Sequence, residues 1–539
     1  MADRRARSGA SGRAARGGGA PKKKSGAKRF LPVRRGQLIS PFGVGAVTDF
    51  RNDEAMMCAG LDAWFNGQKP PQECVIREER LQQKLNKSYF VLPPEYSEAD
   101  GGGKIKIPYV RFPLWHYCPR CFRMKKSTLI GAQPRCDSDK CVKGDFKPRM
   151  IPSRIVAICE AGHIEDFPYQ RWIRCQCSDV DADLYFKAGR SSASLAGIKV
   201  ECKHCGKARS LAGAFQKGAL DDLAQCSSSR PWFGRDAGDR ACQSNLITVQ
   251  RGGSNVYFPL VASSIYIPPK DVVESEAISR VLNVQAVWQA LTDNLVDGHI
   301  DRNRSDFLAS MQGVDAAALY EAAEGRLHRT VRPAVSGISD EDYRRQEYEV
   351  LQKGLTDPLS ELYCDPVAGA RFGWLARYIK QVGLVRKLRE TRALIGFSRN
   401  MPLGEREDGL QPLSLGGDID WLPAIEVRGE GIFIEFDADA ITKWKGANID
   451  WHVARLISRY NDRRVDMKLS RREVDARFLL LHAIAHALIK ELTFTCGYGS
   501  ASLRERLYCN VESRGADRRR DGAERRRNGH GRRRPTGRG

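Results

Sequence analysis

Cys118 and Cys121 in CPRC, followed after fourteen residues by Cys136 and Cys141 in CDSDKC, constrain this chain more than any other feature. Two short loops that each present a pair of thiolates converge readily on one ion. Four sulfurs then form the tetrahedral cage that zinc, which has no ligand-field preference, accepts. Such a cage leaves no position open to water, so its role is structural. A segment folded around metal needs little apolar core. Short strand-like runs such as SRIVAIC and GIKVEC can therefore alternate with polar loops over residues 116–245, where most of the sixteen cysteines lie.

The same chemistry yields two further sets. Cys202 and Cys205 in CKHC can close a second sulfur cage with Cys226 and Cys242. Cys159 and His163 in CEAGH, with Cys175 and Cys177 in CQC, offer three thiolates and an imidazole for a third. Spacing alone does not fix connectivity, so partners can be exchanged between these two sets. Zinc is the cofactor expected. Thiols kept for metal imply a reducing compartment. The first thirty residues are basic and lack the apolar stretch of a secretory signal, so a cytoplasmic protein is expected.

The 539 residues suffice for three or four domains of about 100–200 residues. With 42% hydrophobic residues most of the chain can fold. With 28% charged residues, a mean hydropathy of −0.46 and no evident apolar run of roughly 18 residues, no membrane contact is expected. These figures exclude a secreted disulfide scaffold and a wholly disordered chain. The net charge of +23 is uneven: Met1–Gly36 carries +11, Asn510–Gly539 carries +7, and the body between them only +5. Like-charge blocks of this kind are solvated tails that can neutralise phosphates.

The expected fold class is α+β and multidomain, with zinc-ribbon-like β modules in the N-terminal half and a helical and α+β C-terminal half. Seven segments follow: a disordered basic tail (1–36), a small β/α module (37–115), a zinc ribbon-like module (116–150) and a second Cys-rich β module (151–270). A helical domain (271–415), an α+β domain (416–509) and a disordered Arg/Gly-rich tail (510–539) complete the chain. Residues 34–50 read as strand, glycine turn, strand. Segments 274–295, 342–355 and 372–397 each show apolar residues near three-to-four spacing and predict helices. Residues 421–436 predict a hairpin turning at Gly429 and Gly431. Helices follow near 438–461 and 472–493, then a glycine turn capping a short helix that starts near Ser500 and Ser502.

His482 and His486 lie four apart and share one helix face. Ala483 stands where a zinc peptidase would carry its glutamate, so core histidines bonded to backbone or to Glu505 are the better reading. No Walker A run, His-x-Lys nuclease motif or nucleophile elbow is found. No catalytic residue is assigned.

Several stretches together resemble the DrmB family of the bacterial DISARM anti-phage system. They are RRGQLISPFGVGAVTDF, GLDAW at 60–64, ICEAGHIEDFPYQRW at 158–172, RSLAGAF at 209–215, RPWFG at 230–234, QRGGSNVYFP at 250–259, and LLLHAIAHALIKELTFTCGYGSASLRERLYC at 479–509. The resemblance implies a non-catalytic, zinc-binding subunit that pairs with a DrmA-like helicase ATPase, with DNA as a shared contact. It supplies no catalytic residue. Two alternatives stand beside it: a metal-dependent nuclease or hydrolase using the His482/His486 face, and a stand-alone zinc-ribbon nucleic-acid-binding protein. The family normally continues past Cys509 into Gly-rich strands and another Cys-rich segment. Here eleven Arg and six Gly fill the last thirty residues, as a frame-shifted GC-rich gene would give. A frameshift is the expectation, with a genuine arginine-rich arm as the alternative.

Overall fold

The computed structural model describes residues 33–509, apart from 51–52, 95–105, 144–145, 189–194, 235–241, 269–275, 294, 332–339, 358–359, 403–408, 417–418, 446–449, 468, 470, 472–473 and 500–501. The expectations for the basic N-terminal block and the Arg/Gly-rich C-terminus fall outside, or almost wholly outside, these residues.

Two long strands organise the chain, and neither is the element its sequence predicts. Ile379–Ser398 is one strand of 20 residues, where three-to-four spacing suggests a helix. It pairs antiparallel with Trp421–Phe436, itself one strand of 16 residues and not a hairpin. One local irregularity explains both misreadings. Val385 faces Gly431 and Leu388 faces Gly429, so Arg386 and Lys387 oppose the single residue Glu430. This bulge shifts the alternation by one and leaves Val382, Val385 and Leu388 three apart, which mimics helical spacing. The glycines sit opposite the bulge, not at a turn.

Around this pair the sheet runs Phe258–Ile265, Ile379–Ser398, Trp421–Phe436, Tyr89–Val91, Val75–Ile76, with Tyr363–Ala368 also on the longest strand. All pairings are antiparallel except Trp421–Pro423 with Tyr89–Val91. Ala393, Leu394 and Phe397 pack with Val44, Met57, Trp64 and Trp232 in one core. Val385 and Phe433, further along the same ladder, pack with Leu351, Leu362 and Cys364 in another. The ladder thus joins segments 271–415 and 416–509 to the N-terminal half.

Three smaller three-stranded sheets carry the cysteine-rich region. Helices Glu276–Asn283, Gln285–Thr292, Arg302–Gln312 and Ala316–Val331 build a separate core around Leu282, Trp288, Leu319 and Ala323. The chain is α+β throughout, with many small sheets beside these helices. Residues 35–38 form a 3-10 turn, not the expected first strand, and Val47–Phe50 supplies the second.

Gly45 shows why GVG precedes that strand. Its φ of +78° is a left-handed conformation, and an added Cβ would lie 2.3 Å from Cζ of the buried Phe397. Gly45→Ala should destabilise the fold by about 2–4 kcal/mol, read as a lower denaturant midpoint. Gly429→Ala, where an added Cβ meets nothing within 4 Å, is the control. Equal midpoints for the two variants would contradict this.

The helix expected near 438–461 is two, Ala438–Lys445 and Asp450–Asp466. The last helix, Ala476–Cys496, starts where the Asp475 carboxylate accepts from the Phe478 N–H and stops at left-handed Gly497. Its 21 residues, with a mean hydropathy of 1.3 over an 18-residue window, reach the length and composition of a membrane span. That corrects the expectation of no such run: between Phe478 and Cys496 only Lys490 and Glu491 carry a charge. The described residues of 497–509 form no helix, so the expected short one is also corrected.

Candidate metal centres

Eleven cysteines lie between residues 116 and 245, and all of them, with His163, fall into three groups of four donors. Within each group the donor atoms lie within 4.8 Å of one another. A tetrahedron with metal–sulfur bonds of about 2.3 Å has edges of about 3.8 Å, which is the spacing to compare.

The first group is Cys118, Cys121, Cys136 and Cys141. Cys118 ends the Trp115–Tyr117 strand, and left-handed Phe122 folds the chain back so that its N–H donates to the Cys118 carbonyl. Cys141 closes a turn on Ser138. The Sγ atoms of Cys118 and Cys141 are 3.8 Å apart, and those of Cys121 and Cys136 are 3.6 Å apart. Among the described residues, Met150 is the one side chain besides the cysteines in the buried cluster here. A metal ion would be the centre of this module.

The other two groups exchange the partners that spacing first suggests. Cys202 and Cys205 meet Cys175 and Cys177, while Cys226 and Cys242 meet Cys159 and His163. Strand register decides this. Leu184 pairs with Cys202, which brings the 175–183 loop to the CKHC turn. Cys159 pairs with Leu246, so Cys242 lies nearby, and the Ile164 N–H donates to the Ser229 carbonyl, which draws in Cys226. The separations are 3.4 Å for Cys175–Cys205 and 3.9 Å for Cys177–Cys202. In the mixed group they are 3.4 Å for Cys159 Sγ to His163 Nδ1, 3.6 Å for Cys226 Sγ to the same nitrogen, and 4.0 Å for Cys159–Cys242.

Electrostatics within the groups favours one thiolate and resists the next. The Cys226 thiol, donating to Cys159, draws the latter's pKa down to about 4, and His163 assists against burial. Cys226 itself is pushed up by that same hydrogen bond and by burial. In the second group the Lys207 N–H pulls Cys205 down to about 7, while burial pushes Cys177 up to about 12. In the first, Cys118 falls despite burial, because the Cys121 and Arg120 N–H groups donate to it, whereas burial raises Cys141 to about 11. Thiolates this close repel one another, and a divalent cation removes that repulsion. The donor sets fit a soft-tolerant metal ion, and zinc is consistent with them.

Asp166, three residues after His163 of the mixed group, ties that region to the strand leading into the first group: its carboxylate accepts from the Leu114 and Trp115 N–H groups. Arg399, absent from any sequence-level expectation, holds the mixed group's turn from behind. Its Nε donates to the Gly162 carbonyl at 3.1 Å, inside the CEAGH loop. Nothing in the sequence distinguishes it from a solvated arginine at a strand end. His482 and His486 lie away from these centres, against Glu505 and beside a groove of about 2700 Å³. Ser502 donates its hydroxyl to the Gly499 carbonyl. Ser500 lies outside the described residues.

A domain of unknown function (DUF8724) matches residues 34–258. The DISARM protein DrmB of Bacillus paralicheniformis is 26% identical over 473 residues, covering 82% of this chain and 78% of that protein.

Proposed function

We propose, from the premise that this chain is DrmB-like, that it is a non-catalytic zinc-binding accessory subunit of a DISARM anti-phage complex. In this reading it pairs in the cytoplasm with a DrmA-like helicase ATPase and shares the grip on DNA. The observation that carries the proposal is the likeness to DrmB over 82% of the chain, which spans every cysteine-rich module. Three supports stand beside it. Closed four-donor groups stabilise folds and present surfaces, but leave no coordination site for a substrate. No Walker A run is found in the sequence, which fits a subunit that relies on a partner for ATP hydrolysis. The body between the tails carries only +5, too little to hold DNA alone through many phosphate contacts.

Co-expression of the full chain with a DrmA-like helicase tests the reading. One complex is expected from size-exclusion chromatography, with DNA affinity at least about tenfold above that of the isolated chain. Separate elution of the two proteins at micromolar concentration would overturn it, as would nuclease activity of the isolated chain.

A further inference from the structure

We infer that His482, His486 and Glu505 form a fourth metal centre, chemically unlike the sulfur groups, with three protein ligands and one coordination position open to the groove. Two imidazoles four residues apart on the Ala476–Cys496 helix project from one face, with ring centroids 4.5 Å apart and planes at 84°. Glu505 Oε1 lies 2.9 Å from His482 Nδ1 and 3.8 Å from His486 Nε2. A tetrahedral ion with bonds of about 2.0–2.1 Å to nitrogen and oxygen spaces its ligands about 3.3 Å apart, between these two values.

The orientation of His482 is the second observation. Its Nδ1 has no contact with solvent and makes no hydrogen bond, although the carboxylate oxygen is 2.9 Å away. The oxygen is near but off the line that a hydrogen bond needs. In a metal site the donors aim at a common point between them and not at one another, and an oxygen close to Nδ1 but off its hydrogen-bond line accords with that.

Glu505 is held in place by its neighbours. Arg506 pairs with Glu347 at 2.7 Å and donates to the Ser263 carbonyl, and Tyr508 donates to Glu347 at 3.3 Å. Anchoring Arg506, the next residue, fixes the backbone from which Glu505 reaches the helix. A ligand fixed in this way loses little freedom on binding metal.

Two nitrogens and one carboxylate suit zinc, cobalt or nickel ions and disfavour calcium and magnesium, which require mostly oxygen. His482 is 41% exposed and His486 62%, so the fourth position faces solvent and takes water or one anionic oxygen of a ligand. The sulfur groups have no such position.

The full chain, loaded with zinc and dialysed against a mild chelator, should retain about one more ion than His482→Gln/His486→Gln. Glu505→Gln should bind that ion at least about tenfold more weakly. Equal zinc content in all three proteins would overturn the centre and leave an ordinary ion pair. Should the double variant fail to fold, cobalt(II) titration of the intact chain and of Glu505→Gln decides. A visible band without thiolate charge transfer, present in the intact chain and lost in the variant, is expected. Its absence from the intact chain would overturn the inference.

Discussion

Cys175→Ser combined with Cys202→Ser should cost the chain one metal ion, not two. Both residues belong to one group of donors, so the second substitution removes nothing that the first has left. Pairing by spacing alone, with Cys202 beside Cys226 and Cys175 beside Cys159, demands the loss of two. The complementary pair, Cys175→Ser with Cys226→Ser, should lose two in the fold described here. A structural zinc site supplies roughly 10–16 kcal/mol of apparent binding free energy, comparable to a whole domain's usual net stability of about 5–15 kcal/mol. Losing it should therefore unfold the local module, with new proteolytic cleavage between residues 175 and 210. Elemental analysis of anaerobically purified variants reads the metal count directly. Two ions lost from the first pair would refute the grouping.

Arg399→Met should destabilise the chain by about 3–6 kcal/mol. The side chain is almost fully buried, and its three nitrogens donate to the Gly162, Val256 and Gly45 carbonyls at 3.1, 2.7 and 2.8 Å. Burial lowers its pKa to about 9, which still leaves it charged at neutral pH. Methionine fills much of the volume but abandons three buried acceptors, each costing about 1–3 kcal/mol. Arg399→Lys keeps the charge but not the planar fork, and should recover only part of the loss. The guanidinium also lies over the Trp232 ring at 5.3 Å, so tryptophan fluorescence reports on the same place. A denaturant midpoint for Arg399→Met within experimental error of the parent would refute this.

The donors themselves were legible in the sequence, because thiol and imidazole pairs at short spacing have few other uses in a reducing compartment. Every cysteine from Cys118 to Cys242 that the spacing singles out stands in one of the groups. Their partition was not legible, since it follows from strand register, which joins Leu184 to Cys202 and Cys159 to Leu246 across long loops. The amphipathic helices Glu276–Asn283 and Asp340–Lys353 could be read from periodicity. The Ile379–Ser398 strand could not, because its bulge erases the two-residue period that would identify it. Arg399 was invisible for another reason: a lone arginine after an apolar run looks like a solvated strand end until three distant carbonyls surround it.

The parallel pairing of Tyr89–Val91 with Trp421–Pro423 bears on how the chain is made. Ser88, whose N–H donates to the Asp420 carbonyl beside this pairing, is 332 residues earlier in the chain. At about 5–20 residues per second, a ribosome needs roughly 17–66 s to deliver the second strand after the first has emerged. Throughout that interval Phe90 and Val91, both buried in the finished protein, have no neighbour on one side. Gly45 waits still longer for Arg399, 354 residues away. The Cys118–Cys141 loop, by contrast, has all four donors within one short span and can close on metal as soon as it leaves the exit tunnel. Metal supply during synthesis would then determine how much of the nascent N-terminal half is already shaped when its late-arriving strand appears, and how long a bare sheet edge is open to other chains.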